Sequence, residues 1–308
     1  MALLNSKKSA RTAGPGSGGF PPHYLRPRIF WGGTMNSPEF TADLALGDFD
    51  ASLARSCVQA SARAYAETTF SSELAQVLLT RGGGTTPGMD VPIIAFRGSA
   101  NVRAWLTDGL VRLTGTVFGG VHFGFWRSTQ SVMPQILAMD QKVRDQRGRP
   151  VPVVITGHSK GAGEALICAR TLAAVGWPIR AVITFGGPRV GNAVWRAGYD
   201  AQSANLGPEL GTSNIQHPTS NIQLGDITYR VVNKEDIVAR LPVWTMGYRH
   251  VGKECFIPVL GPMRVDPPIW FKALSDLGGT FRAWGERMGV AQFGCHPVSQ
   301  YTETMDRI

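Results

Sequence analysis

The sequence predicts an α/β fold, a mostly parallel central sheet flanked by helices, and three observations predict it. Short apolar runs at Val91–Phe96, Val151–Ile155, Ala181–Phe185 and Tyr229–Val232 read as buried strands. Helical patterns separate these runs, which implies parallel strands with helices on the sheet's faces. The third observation is Gly157-His158-Ser159-Lys160-Gly161, which follows the second run and opens the helix-like segment Ala162–Ala169. Strand, tight turn and helix then place a serine at the apex of a strained turn, with small residues two places either side so that strand and helix pack closely.

The elements follow in order. Residues 1–35 are rich in Gly and Pro and read as a flexible leader, whose Tyr24, Phe30 and Trp31 are the residues able to dock its end. Lys7, Lys8 and Arg11 are followed by Gly, Ser and Pro where a signal peptide needs an apolar segment. No secretory signal is therefore expected, and a cytoplasmic location is the default, with secretion by another route left open. Residues 36–308 read as one domain. Phe49, Leu53, Cys57, Ala60 and Ala64 recur at helical spacing and predict a helix. Pro92 near the start of the first strand suits a strand beginning, and that strand ends at Arg97-Gly98-Ser99. Residues 201–225 are rich in Ser, Asn, Gln and Gly, repeat Thr-Ser-Asn-Ile-Gln, and predict a surface loop insertion. Ser99, Ser159, Gly186 and Asp236 each lie just past a strand's carboxyl end, where parallel sheets gather reactive groups.

With 308 residues, 43% hydrophobic and 17% charged, the chain can bury a substantial core. Its 31 Lys and Arg against 22 Asp and Glu leave a net charge of +9, which favours anionic surfaces such as phospholipid. The basic residues are scattered along the chain and no base-reading motif accompanies them, so nucleic acid is not an expected partner. No run of 18 apolar residues exists to span a membrane. The four cysteines are widely spaced and lack a C-x-x-C pair, which argues against structural zinc; Cys168 reads as a small buried hydrophobe.

A serine hydroxyl needs a base, and the base an orienting acid. Of the six histidines, His23 falls in the leader, His217 in the insertion, His158 beside the serine but pointing away from it, and His122 early in the chain. His250 and His296 remain. Both satisfy the order serine, acid, histidine of an α/β-hydrolase if the acid lies between them and Ser159. Asp236 is the best acid, because it follows a strongly β-forming segment by a short turn; Asp226 would emerge at the wrong end of the sheet, and Asp200 has no strand before it.

Six ordered blocks extend this pattern over roughly residues 50–302: Phe96–Ser99, Val121–Phe125, Gly157–Gly161, Phe185–Asn192, Val232–Val238 and His296–Tyr301. Together they resemble the class 3, fungal-type triacylglycerol lipases. The resemblance implies an α/β-hydrolase fold with a helical lid at about residues 100–117. It also implies Ser159 as nucleophile, Asp236 as acid, His296 rather than His250 as base, and as oxyanion donors the backbone N–H of Lys160 and Ser99 through its N–H, with its hydroxyl as a further donor. Trp105, Leu106 and Leu110, at helix-like spacing, would form the lid's apolar face. Lysine at 160 departs from the family's usual leucine; its charge would either alter the acyl pocket or pair with Glu164 one turn away.

The resemblance further implies ester hydrolysis without metal or organic cofactor. The substrate would be an acylglycerol or another ester at a lipid–water interface, reached by peripheral contact with the lipid surface and with no obligate protein partner. A phospholipase A1 or a feruloyl-type esterase is the alternative on the same scaffold. An inactive lipid- or partner-binding relative is the remote one, disfavoured because serine, acid, histidine and Ser99 are all present.

Overall fold

The computed structural model describes residues 49–83, 90–99, 112–139, 143, 150–206, 222–234, 236–258, 261–272 and 296–307. The leader, most of the expected lid with Trp105, Leu106 and Leu110, and residues 207–221 of the insertion lie outside the described residues.

The first helix, α1 (Ala51–Arg63), starts where Asp50 caps it, its carboxylate accepting from the Leu53 N–H at 2.8 Å. Strands β1 (Phe70–Ser71), β2 (Gln76–Gly83) and β3 (Asp90–Phe96) follow, then a hairpin of β4 (Leu113–Thr116) and β5 (Gly119–His122). Helix α2 (Phe123–Leu137), β6 (Val153–His158), α3 (Lys160–Ala174) and β7 (Ile179–Phe185) form the centre. The chain continues through α4 (Ala193–Asp200), β8 (Thr228–Asn233), β9 (Lys253–Ile257), β10 (Arg264–Val265) and α5 (Val298–Met305).

Eight strands make one sheet in the order β1-β2-β3-β6-β7-β8-β9-β10. The pairs from β3 to β9 are parallel, and antiparallel pairs close both edges. The sequence-predicted strands are β3, β6, β7 and β8. The flanking β1, β2, β9 and β10 escape the apolar-run criterion, because β1 and β10 are two residues long and β2 and β9 carry Gln, Thr, Arg, Lys and Glu among their apolar residues.

Alternation along the strands builds two cores, one on each face. Ile93, Ala95, Val154, Ile183 and Val231 join the core covered by α1 and α5, while Ile94, Phe96, Ile155 and Val182 join the one covered by α2 and α3. Burial on both faces explains why the central strands read as unbroken apolar runs.

One expectation changes. Leu113 to Thr116 of the segment expected as helical lid form a strand: the chain turns back at Val117-Phe118, with Thr116 Oγ1 donating to the Gly119 carbonyl and accepting from the Phe118 N–H. The base of the 201–225 insertion is also tied down, by the Ser203–Gln223 bridge and by the Ala204 N–H donating to the Ile222 carbonyl at 2.9 Å.

Candidate active site

Ser159 sits between β6 and α3 at φ 59° and ψ −126°, a conformation that costs an L-residue about 1–3 kcal/mol and persists only where the surroundings impose it. Those surroundings are crowded backbone. A Cβ at Gly157 would lie 2.3 Å from the Gly161 carbonyl oxygen, and one at Gly161 would lie 2.3 Å from that of Phe96. Only glycines allow strand and helix to close on the serine, and the end of β3, two residues before Gly98-Ser99, presses on the same turn. The Ser159 N–H donates to the Phe185 carbonyl at 3.0 Å, which ties the apex to β7.

Asp236 emerges from the turn after β8 and is fully buried. Its Oδ1 accepts from the Val238 N–H at 2.9 Å, while Oδ2 accepts from His296 Nδ1 at 2.8 Å and from the Tyr301 hydroxyl at 2.6 Å. Three donors converge on one carboxylate and fix it. Gly186, at φ 56°, leaves the room: a Cβ there would lie 2.5 Å from Oδ2. His296 donates through Nδ1, so in the neutral ring Nε2 is the basic nitrogen, and Nε2 is buried without a hydrogen-bond partner among the described residues.

The sequence placed His158 pointing away from the serine, and the structure gives it work there. Its Nε2 lies 2.7 Å from the His296 carbonyl, an acceptor, so Nε2 carries the proton and Nδ1 accepts from Tyr65 OH at 2.9 Å. Burial, with His296 close by, lowers the His158 pKa to about 3, and burial raises that of Tyr65 to about 12, so this chain of donors keeps its order across the working pH range. The two imidazole rings lie 4.7 Å apart. Tyr65 was not foreseen; it follows α1 with no local pattern pointing to a partner 93 positions away. Tyr301 was visible only as the end of the last block.

Of the two expected oxyanion donors, Lys160 is the first residue of α3, where backbone N–H groups lack a helical acceptor. Its side chain turns away, Nζ donating to the Leu74 carbonyl and Ser128 Oγ, each at 3.0 Å, and to the Glu164 carboxylate. Pairing with Glu164 is thus the role of the unusual lysine. Burial pushes the Glu164 carboxyl above its ordinary range, against the pull of Lys160. Ser99 lies partly exposed past β3. A cleft of about 240 Å³ lined by Leu74, Arg97, Gly98 and Lys160 opens beside these two positions.

The remaining candidates go elsewhere. His250 donates through Nε2 to the Ala239 carbonyl at 2.8 Å and faces Arg189 and Arg230 across a different cavity. Desolvation first, then those two guanidiniums, push its pKa well below the imidazole range. His122 caps α2, accepting from the Phe125 N–H at 3.3 Å. Asp200 and Asp226 accept from the Gly252 and Gln223 N–H groups at 2.8 and 3.0 Å. Cys57, Cys168 and Cys255 are free and buried, and Cys295 lies outside the described residues. Among the described residues, no group of His, Cys, Asp and Glu could hold a metal ion, and no helix is long and apolar enough to cross a membrane.

The lipase (class 3) family model matches residues 93–246, half of the chain. A secreted mono- and diacylglycerol lipase A of Penicillium cyclopium is 30% identical over 168 residues, 54% of this chain and 47% of its own length. A secreted mono- and diacylglycerol lipase 1 of Fusarium solani is 31% identical over 177 residues, 56% of this chain and 46% of its own. The chain thus aligns with about half the length of these curated relatives. Among solved structures, the Rhizomucor miehei lipase propeptide complex superposes with a TM-score of 0.54 at 22% identity, over 70% of this chain and 69% of that one. A triacylglycerol lipase with a serine protease triad as its catalytic centre superposes with a TM-score of 0.53 at 22% identity, over 69% and 82%. These superpositions identify the fold as that of the α/β-hydrolases. Relatives named as secreted overturn the cytoplasmic default drawn from the basic, Gly- and Pro-rich first residues. With half its length matched by the family model and the six motif blocks in order, the chain belongs to the class 3 lipase family.

Proposed function

We propose that the protein is a serine ester hydrolase acting on acylglycerols at a lipid–water surface, with Ser159 as nucleophile, His296 as base and Asp236 as orienting acid. The observation that carries this reading is His296: Nδ1 is held 2.8 Å from a buried carboxylate while Nε2 stays buried and unpartnered. The ring of His158, the residue before the strained serine, lies 4.7 Å from that of His296.

In this reading Ser159 Oγ attacks the ester carbonyl and passes its proton to His296 Nε2. The imidazolium is stabilised by Asp236, then protonates the departing alcohol, and the acyl-enzyme is released by a water that His296 deprotonates. Tyr301 and the Val238 N–H occupy the lone pairs of Asp236 that His296 leaves open, which holds the carboxylate against the ring. The Lys160 and Ser99 N–H groups would receive the oxyanion, each such donor being worth about 3–4 kcal/mol of barrier.

The deciding experiment is fatty-acid release from a medium-chain triacylglycerol emulsion by the intact protein beside Ser159→Ala. Turnover lost in the variant supports the reading, and equal release by both refutes it. Phospholipase A1 activity is the second reading, favoured by the +9 charge and by a 26% identical relative from Arabidopsis thaliana named phospholipase A(1) DAD1. Release from anionic phospholipid but not triacylglycerol would move the assignment there.

A further inference from the structure

A cavity of about 380 Å³, within the range of about 300–1,000 Å³ typical of small-ligand sites, opens where β8 and β9 pair, and none of Ser159, Asp236 and His296 lines it. Arg230 and Glu254 are direct register partners across the two strands, so their side chains leave the sheet on one face. The carboxylate of Glu254 is shared: Lys272 Nζ holds it at 2.8 Å and Arg230 Nη2 lies 3.7 Å away. Arg189 enters from the loop after β7, its Nη1 donating to the Pro242 carbonyl at 2.9 Å. Two cations therefore share one carboxylate, and a third, Arg189, lines the same cavity.

Their hydrogen bonds do not close. Arg230 is only 6% exposed; Nε donates to the Val251 carbonyl at 2.6 Å, yet Nη1 is buried with no partner among the described residues. A buried guanidinium with an idle N–H is costly unless an acceptor arrives, and its planar fork suits the oxygens of phosphate. The depressed pKa of His250 and of Arg189, each due to burial and to neighbouring guanidinium charge, registers the same positive potential.

The rim is of the opposite character. Val243 and Trp244 line the cavity while remaining 41% and 65% exposed, and Met246 in the same turn is 49% exposed. A cationic floor under an exposed apolar lip matches an amphiphile with an anionic head, and exposed tryptophan suits a lipid interface.

We propose that this cavity is a second lipid site, separate from the ester-hydrolysing groups, which takes the phosphate head of an anionic lipid between Arg189, Arg230 and Lys272 with its first apolar carbons against Val243 and Trp244. The site does not depend on the hydrolytic reading. It is tested by flotation of full-length Ser159→Ala protein with phosphatidylcholine vesicles and with vesicles also containing phosphatidic acid. The expected result is tighter binding to the second set. On that background Lys272→Gln weakens the preference about fivefold, as removal of one interfacial cation does, and Trp244→Ser weakens it through the lip. Inorganic phosphate competes. Equal binding to both vesicles overturns the proposal, and so does a preference unchanged in both variants, which would assign it to diffuse charge. Phosphate binding without any vesicle preference also overturns it, in favour of a free-phosphate site.

Discussion

His296 and His250 follow Asp236 in the chain and meet the same sequence criterion, but the structure surrounds them with opposite charge. The ring of His296 rests on a carboxylate that two further donors lock in place, and it keeps its second nitrogen open. The ring of His250 gives its proton to a main-chain carbonyl and looks onto arginines that oppose a second proton. A general base must become a cation in the reaction, so only the first environment suits one. Position after the acid is therefore a weak criterion, and the sign of the charge facing the ring is a strong one.

The largest effects should separate the two histidines. Ser159→Ala and His296→Ala are each expected to lower kcat for ester hydrolysis by about 10⁶-fold, the scale found when a member of such a unit is removed; a loss of only a few-fold in either would break the comparison. Asp236→Asn should cost about 10⁴-fold while the protein keeps its melting temperature within a few degrees, since the amide preserves shape but not the imidazole tautomer. Tyr301→Phe removes one charge-assisted donor from that carboxylate. Its kcat should fall about tenfold with KM little changed, the size of one such hydrogen bond.

A smaller effect appears in pH dependence. Burial raises the folded pKa of Glu164 above its ordinary 4.5. A group raised on folding contributes stability that is complete below its unfolded pKa and is lost as the pH climbs through the folded value. Urea midpoints of the wild type should therefore fall relative to Glu164→Gln as pH rises from about 4.5, and Lys160→Leu, which removes the opposing cation, should widen that window. A difference independent of pH would show that Glu164 does not titrate between the two states. The smallest activity change is expected for His250→Gln: kcat within a few-fold of wild type, with a stability loss of about 1 kcal/mol from its hydrogen bond, read by urea denaturation.

What the sequence made legible follows the same physics. The central strands announced themselves because both faces are covered, and the elbow because two glycines and a serine at that spacing leave few alternatives. The outer strands β2 and β9 were missed because residues such as Arg81 and Lys253 interrupt their apolar pattern. The expected lid helix failed at Leu113, where local hairpin chemistry took precedence over apolar spacing. The Tyr65–His158–His296 chain and the cationic cavity had no linear signature. Basic residues that look scattered between 189 and 272 converge only when β8 pairs with β9.

The most direct test of the central claim is covalent labelling by a fluorophosphonate, which requires an activated serine, in the wild type, Ser159→Ala, His296→Gln and His250→Gln. Labelling at Ser159 is expected in the wild type and in His250→Gln, and none in the other two. Labelling retained in His296→Gln but lost in His250→Gln would contradict it.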